Sequence, residues 1–151
     1  MANIGKALTR ISEEFPDTEI VVALHKNPVV RETLLPLLQN RLRITLIEPP
    51  DYAPFVKLMQ RSALILTDSG GVQEEAPTLG VPILVLRQTT ERPEGVEAGT
   101  AKLIGTDTNV IVEESRLLLT DSELHSRMSR AANPYGDGSA AEKIVAVLRR
   151  E

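Results

Sequence analysis

Mostly apolar residues run unbroken through 19–24, 43–47, 63–66, 82–86 and 101–104. Each run is too short for a helix and is bounded by polar, proline or glycine residues, as a buried strand would be. Between the runs the period changes. Ile4, Leu8, Ile11 and Phe15 fall at helical spacing, so a helix is already under way by about residue 3. Residues 29–38, 53–60 and 72–79 also read as helices, the last stopped by Pro77 and Gly80. A short helical stretch reaches Ala98, and 110–119, 122–132 and 139–149 read as three more. Strand and helix alternate, and the strands are apolar on both faces. That pattern predicts an α/β, Rossmann-like parallel sheet with helices on both faces. Right-handed crossovers would then collect the strand C-termini on one edge, where such sheets bind ligands.

The unusual loops all follow strands. They are His25-Lys26-Asn27-Pro28, Glu48-Pro49-Pro50-Asp51-Tyr52, Asp68-Ser69-Gly70-Gly71 and residues 87–94. In the third, two glycines allow positive φ and let a ligand approach the main chain. The helix start beyond them suits an anion such as phosphate. The other reading is a plain strand-to-helix turn in which Ser69 caps the helix.

Ser69, Gly70 and Gly71 can offer a hydroxyl and main-chain donors to a diphosphate. Arg92 would sit one strand later on the same rim, either binding a phosphate bidentately or pairing with Glu91 or Glu94 at the surface. Glu75, placed by this reading on the first helical turn, can accept from a ribose diol or simply suit the helix dipole. Glu74 is assigned only the latter role. Phe55 can stack on a base or belong to the core. His25 can serve as acid, base or phosphate donor, or cap its loop. With no carboxylate or second histidine near it, no metal is expected there. His125 receives no role. No acid/base pair and no nucleophile with a positioned base emerges, so the rim is expected to hold a nucleotide diphosphate without transforming it.

Composition narrows the partners. The 151 residues carry a net charge of −4 with no basic run, which disfavours nucleic acid and acidic membranes. Aromatics at 3% leave little for a base-stacking platform. No apolar stretch approaches the ~18 residues of a membrane span. The absence of cysteine excludes disulfides and thiolate metal sites and fits a reducing compartment. A single soluble domain in the cytoplasm is expected.

Several blocks resemble the non-hydrolysing UDP-N-acetylglucosamine 2-epimerases. They are residues 25–32 (His-Lys-Asn-Pro-Val-Val-Arg-Glu), Asp51-Tyr52 with Phe55, 66–77 including Ser69-Gly70-Gly71-Val72-Gln73-Glu74-Glu75-Ala76-Pro77, and Leu79-Gly80-Val81-Pro82. Leu86-Arg87, Thr90-Glu91-Arg92-Pro93-Glu94, Ala98-Gly99-Thr100 and 133–138 (Asn-Pro-Tyr-Gly-Asp-Gly) continue the series. The resemblance implies a C-terminal, UDP-binding domain of a protein about twice this length, with a GT-B-type arrangement of two Rossmann-like domains. The N-terminal domain, with its catalytic carboxylates and a Gly-His-Arg-Arg-Glu block just before residue 1, would be absent, and Met1 would be an initiator on a shortened chain. The implied reaction interconverts UDP-GlcNAc and UDP-ManNAc by elimination and re-addition of UDP, with no cofactor. Ser69, Gly70 and Gly71 match the diphosphate turn, Glu75 the ribose carboxylate, Arg92 the phosphate arginine and Phe55 the residue against uracil. His25 matches a histidine facing a second UDP-GlcNAc in an allosteric cleft. Pro50 departs from the glutamine that contacts the base in some relatives. The implied partners are UDP or UDP-GlcNAc, the N-terminal domain and, in the longer protein, a second copy in a homodimer. Half of a hydrolysing epimerase, half of a GT-B glycosyltransferase and a stand-alone nucleotide-sugar module are the alternatives, and the Thr90–Glu94 block argues against the transferase.

Overall fold

A computed structural model of the chain describes residues 1–149. The elements run α1 (Ala2–Glu14), β1 (Ile20–Ala23), α2 (Pro28–Leu38), β2 (Ile44–Ile47), α3 (Tyr52–Gln60), β3 (Ile65–Thr67) and α4 (Gly70–Glu75). A 3-10 turn (Ala76–Leu79) follows, then β4 (Ile83–Val85), α5 (Pro93–Glu97), β5 (Ala101–Leu103), α6 (Thr108–Thr120), α7 (Ser122–Ser129) and α8 (Ala140–Leu148).

All five expected strands form, and every pairing is parallel. Their hydrogen bonds make two groups, β1–β2 and β3–β4–β5, where the sequence suggested one sheet. β3 also starts later than the apolar run does. Ala63 lies in a bend, and its carbonyl meets His125 Nε2 at 2.8 Å instead of entering a ladder. His125, given no role by the sequence, therefore ties α7 to the approach of β3.

β4 is the innermost strand, with Ile83, Leu84 and Val85 fully buried. Ile83 and Val85 pack with Ala76, Ala101, Val72 and Leu103. Leu66 and Leu86 belong instead to the larger cluster formed with Ile4, Leu8 and Ile11 of α1, Leu34 and Leu38 of α2, and Ile111 and Val112 of α6. Because side chains alternate along a strand, α4 and the 3-10 turn cover one face and α1, α2 and α6 the other. Helices on both faces are thus present. Polar contacts fasten α1 to α6: Thr108 Oγ1 donates to the Asn3 carbonyl at 3.1 Å, Arg10 Nη1 to Asn109 Oδ1 at 2.8 Å, and Arg116 Nη2 to Glu14 Oε2 at 2.9 Å.

The helix expected over 72–79 is two pieces. Pro77 has no N–H to return to the carbonyl four residues back, so the chain leaves the α-helix after Glu75 and tightens into the 3-10 turn. Gly80, at φ 69° in the left-handed region, closes it. As α4 starts at Gly70, Glu75 is its last residue and not part of its first turn.

The 133–138 loop packs beside the 3-10 turn, with Asn133 Nδ2 donating to Thr78 Oγ1 at 2.8 Å. Asp137 then accepts from the Ser139 hydroxyl and amide and from Lys143 Nζ, which brings its carboxyl down to about 2. A depressed carboxyl stabilises above its unfolded value of 3.8 and loses that contribution as pH falls through about 2. The start of α8 is therefore expected to come loose only in that acid window. An NMR titration of the Asp137 carboxylate with a midpoint near 3.8 would contradict this.

Candidate functional site

The Asp68–Gly71 turn leaves β3 after Thr67, one residue beyond the apolar run. Ser69 is the N-cap of α4: its amide donates to Thr67 Oγ1 at 3.0 Å, and its Oγ accepts from the Val72 amide at 3.5 Å. Capping and ligand binding therefore do not exclude each other, because so long a bond leaves the hydroxyl largely free. Gln73 N–H returns to the Ser69 carbonyl at 3.3 Å. The Gly70 and Gly71 amides have no acceptor among the described residues, so two main-chain donors stand open side by side.

Neither glycine uses the positive φ that it permits. What they supply is room. A Cβ at Gly71 would come no closer than 3.9 Å to Ser69 Oγ, and one at Gly70 would stand 4.0 Å from Arg92 Nη2. The missing side chain of Gly70 thus leaves space between the turn and the Arg92 guanidinium. α4 has only six residues, so these individual donors matter more than any helix dipole.

Arg92 reaches this gap from the loop after β4. Neither carboxylate expected to pair with it, that of Glu91 or of Glu94, does so. Nε binds the carboxylate of Glu74, the residue assigned only a dipole role, and Nη1 donates to the Glu91 carbonyl at 3.0 Å. The Glu74 bond raises the Arg92 pKa further, so the group stays cationic. The pair is exposed at 37% and 41% of its side-chain surfaces, so it orients the guanidinium without holding it strongly. Nη2, beside Gly70, is not used by any of these bonds. Glu91 pairs instead with Arg87 Nη1, at 2.9 and 2.7 Å.

A buried polar set lies beneath. Gln73, 1% exposed, donates from Nε2 to the Ser69 carbonyl at 3.1 Å and accepts at Oε1 from Thr90 Oγ1 at 2.7 Å. Thr90 Oγ1 accepts in turn from the Arg92 amide at 3.1 Å. On the far side, the Tyr135 hydroxyl donates to the Arg92 carbonyl at 3.3 Å and accepts from the Gly95 amide at 3.0 Å. Burial pushes that hydroxyl up, which keeps its proton in place for the bond.

The structure thus brings Ser69, Gly70, Gly71 and Arg92 together. Glu75 is half-buried at the end of α4, and its carboxylate has no hydrogen-bonding partner among the described residues. Phe55 is half-buried on α3, which packs against the 3-10 turn. His25 is exposed after β1, with Nδ1 accepting from the Asn27 amide at 3.1 Å. Its loop is pinned by Arg31, which donates to the His25 carbonyl at 3.2 Å and bidentately to Glu48 at 2.8 and 2.5 Å. That fork holds the Glu48 carboxyl below the usual range. Sequence reasoning missed Gln73, Glu74, Thr90 and Tyr135. An amide four residues after the Ser69 cap, on the buried side of a short helix, was the one available signal. Among the described residues no cluster of histidine and carboxylate side chains could hold a metal ion, and no helix is long and apolar enough to cross a membrane. An open groove of about 470 Å³ lies elsewhere, lined by Pro77, Thr78, Asn133, Gly136, Asp137 and Lys143.

Known proteins resemble the chain along almost its whole length. A Bacillus subtilis UDP-N-acetylglucosamine 2-epimerase is 53% identical over 148 residues, covering 98% of this chain and 39% of the relative. A solved structure of S. aureus MnaA with UDP superposes with a TM-score of 0.93 at 50% identity, over 99% of this chain and 41% of that one. The Neisseria meningitidis UDP-GlcNAc 2-epimerase bound to UDP-GlcNAc gives 0.93 at 47% identity, over 99% and 40%. The chain therefore spans about two fifths of the length of the relatives it matches. The family model for UDP-N-acetylglucosamine 2-epimerase matches residues 1–149, and the chain belongs to that family.

Proposed function

We propose that this chain is the UDP-holding domain of a UDP-N-acetylglucosamine 2-epimerase, with the Gly70 and Gly71 amides, the Ser69 hydroxyl and Arg92 taking the diphosphate. The observation that carries this is that two adjacent unpartnered amides and an unused guanidinium nitrogen come together at Gly70, which has no side chain to fill the space. Glu75 would accept from the ribose, Phe55 would lie against the uracil, and His25 would face a second nucleotide sugar.

In the proposed reaction the C2 proton leaves, the C1–O bond to UDP breaks and a C1=C2 double bond forms. Protonation of the opposite face with return of UDP gives the epimer. As the C1–O bond breaks, negative charge grows on the diphosphate, and donors already aimed at it stabilise that charge. The chain's part is to hold and neutralise the leaving group. The acid and base for C2 would belong to an N-terminal domain closing the other side of the cleft, and a single wall can neither exclude water nor place them. A cytoplasmic location and a homodimer of the longer protein belong to the same reading.

The 151-residue chain is expected to bind UDP weakly in a calorimetric titration and to form no UDP-ManNAc in a coupled assay. Turnover by this chain would overturn the need for a second domain. Absence of UDP binding would overturn the diphosphate site.

A further inference from the structure

We infer that Gln73, which is buried beneath the candidate site, is a positioning residue that sets the spacing between the Ser69–Gly71 turn and the Arg92 loop. The inference rests on the reading of those two segments as one diphosphate site. They lie on opposite sides of β4 in the chain, and Gln73 is 17 residues from Thr90. Its amide bridges them at full burial, with one end on the Ser69 carbonyl and the other on the Thr90 hydroxyl.

The chemistry permits one orientation. Turned over, the amide would set its oxygen against the Ser69 carbonyl, two acceptors facing each other without a proton. With Oε1 toward Thr90, the hydroxyl proton is committed to Gln73, and the hydroxyl oxygen is left to accept from the Arg92 amide. The bonds therefore run in one sense, from Arg92 N–H through Thr90 to Gln73, while the Gln73 NH₂ holds the turn. Any change in the separation of the two loops would strand a buried donor or acceptor, which costs far more than a bond of this kind contributes when made. Tyr135 closes the other side of Arg92, so the main chain of that residue is held through both its N–H and its carbonyl.

The test uses two near-isosteric variants, Gln73→Met and Thr90→Val, each made in the unaltered chain and with Arg92→Ala. Each alone is expected to weaken UDP binding about five- to tenfold. Together they should do little more than one of them, since they break the same relay. With Arg92→Ala already present, Gln73→Met should cost little further affinity. A merely structural role would lower affinity by the same factor in both backgrounds, and that result would overturn the inference, as would unchanged affinity in both single variants. Hydrogen exchange at the Arg92 amide needs no ligand. It should accelerate in both variants, and unchanged protection overturns the link. If UDP fails to bind the unaltered chain, the diphosphate reading falls, and the exchange result alone decides whether Gln73 fixes the loop.

Discussion

Arg92→Ala is expected to weaken UDP binding by roughly ten- to a hundredfold, the scale of a lost charge-assisted phosphate contact. The geometry explains why the loss should be large for so exposed a residue. Nε and Nη1 are engaged by Glu74 and the Glu91 carbonyl, which orients the guanidinium and leaves Nη2 beside Gly70. Arg92→Lys should recover little, because an ammonium lacks the planar fork that engages Glu74 through one nitrogen and leaves another for a phosphate oxygen. Raising the salt concentration should weaken binding to the unaltered chain and have less effect on the alanine variant. Calorimetry giving unchanged affinity for Arg92→Ala would return the residue to a surface ion pair with Glu74.

The second large effect concerns stability. Ile83 lies at the centre of the three-stranded group, paired to Ile65 on one side and Ala101 on the other, and it is fully buried. Ile83→Ala should destabilise the chain by about 2–5 kcal/mol, because the strands on both sides prevent the space from closing. At this chain length that corresponds to a Tm lower by roughly 4–20 °C, read by circular dichroism on heating. A shift below about 2 °C would mean that the neighbouring residues refill the site. Since Ile83 packs against Ala76 and Val72, the loss should be felt by α4 and the turn it carries.

Much of this was legible because the information is local. An unbroken apolar run such as 82–86 can hardly be anything but an inner strand, and a Ser-Gly-Gly turn after such a run advertises main-chain donors. Arg92 was also found, though for a partner beside it in sequence. Its actual partner, Glu74, is 18 residues away and reaches it only because β3 and β4 are neighbours. Gln73 and Tyr135 were overlooked for the same reason. Their meaning lies in bonds to Thr90, Arg92 and Gly95, over separations that no periodicity records. At Gly70 and Gly71 the sequence left the use of the glycines open: absence of a side chain permits positive φ and also permits empty space, and only the second is used. The break after Glu75 was hidden because Pro77 was read as the end of a helix and not as a change in its pitch.

The fastening of α1 to α6 also has a consequence for synthesis. Asn3, Arg10 and Glu14 find their partners about a hundred residues further along the chain. At ~5–20 residues per second, a ribosome needs roughly 5–20 s to deliver them. During that interval Ile4, Leu8 and Ile11 can be met by α2, but Ile111 and Val112 have not yet been made. Helix α1 therefore leaves the exit tunnel well before the residues that complete its cover. A stalled nascent chain ending before residue 108 should keep that apolar stripe open to a chaperone, and one extended past residue 116 should release it.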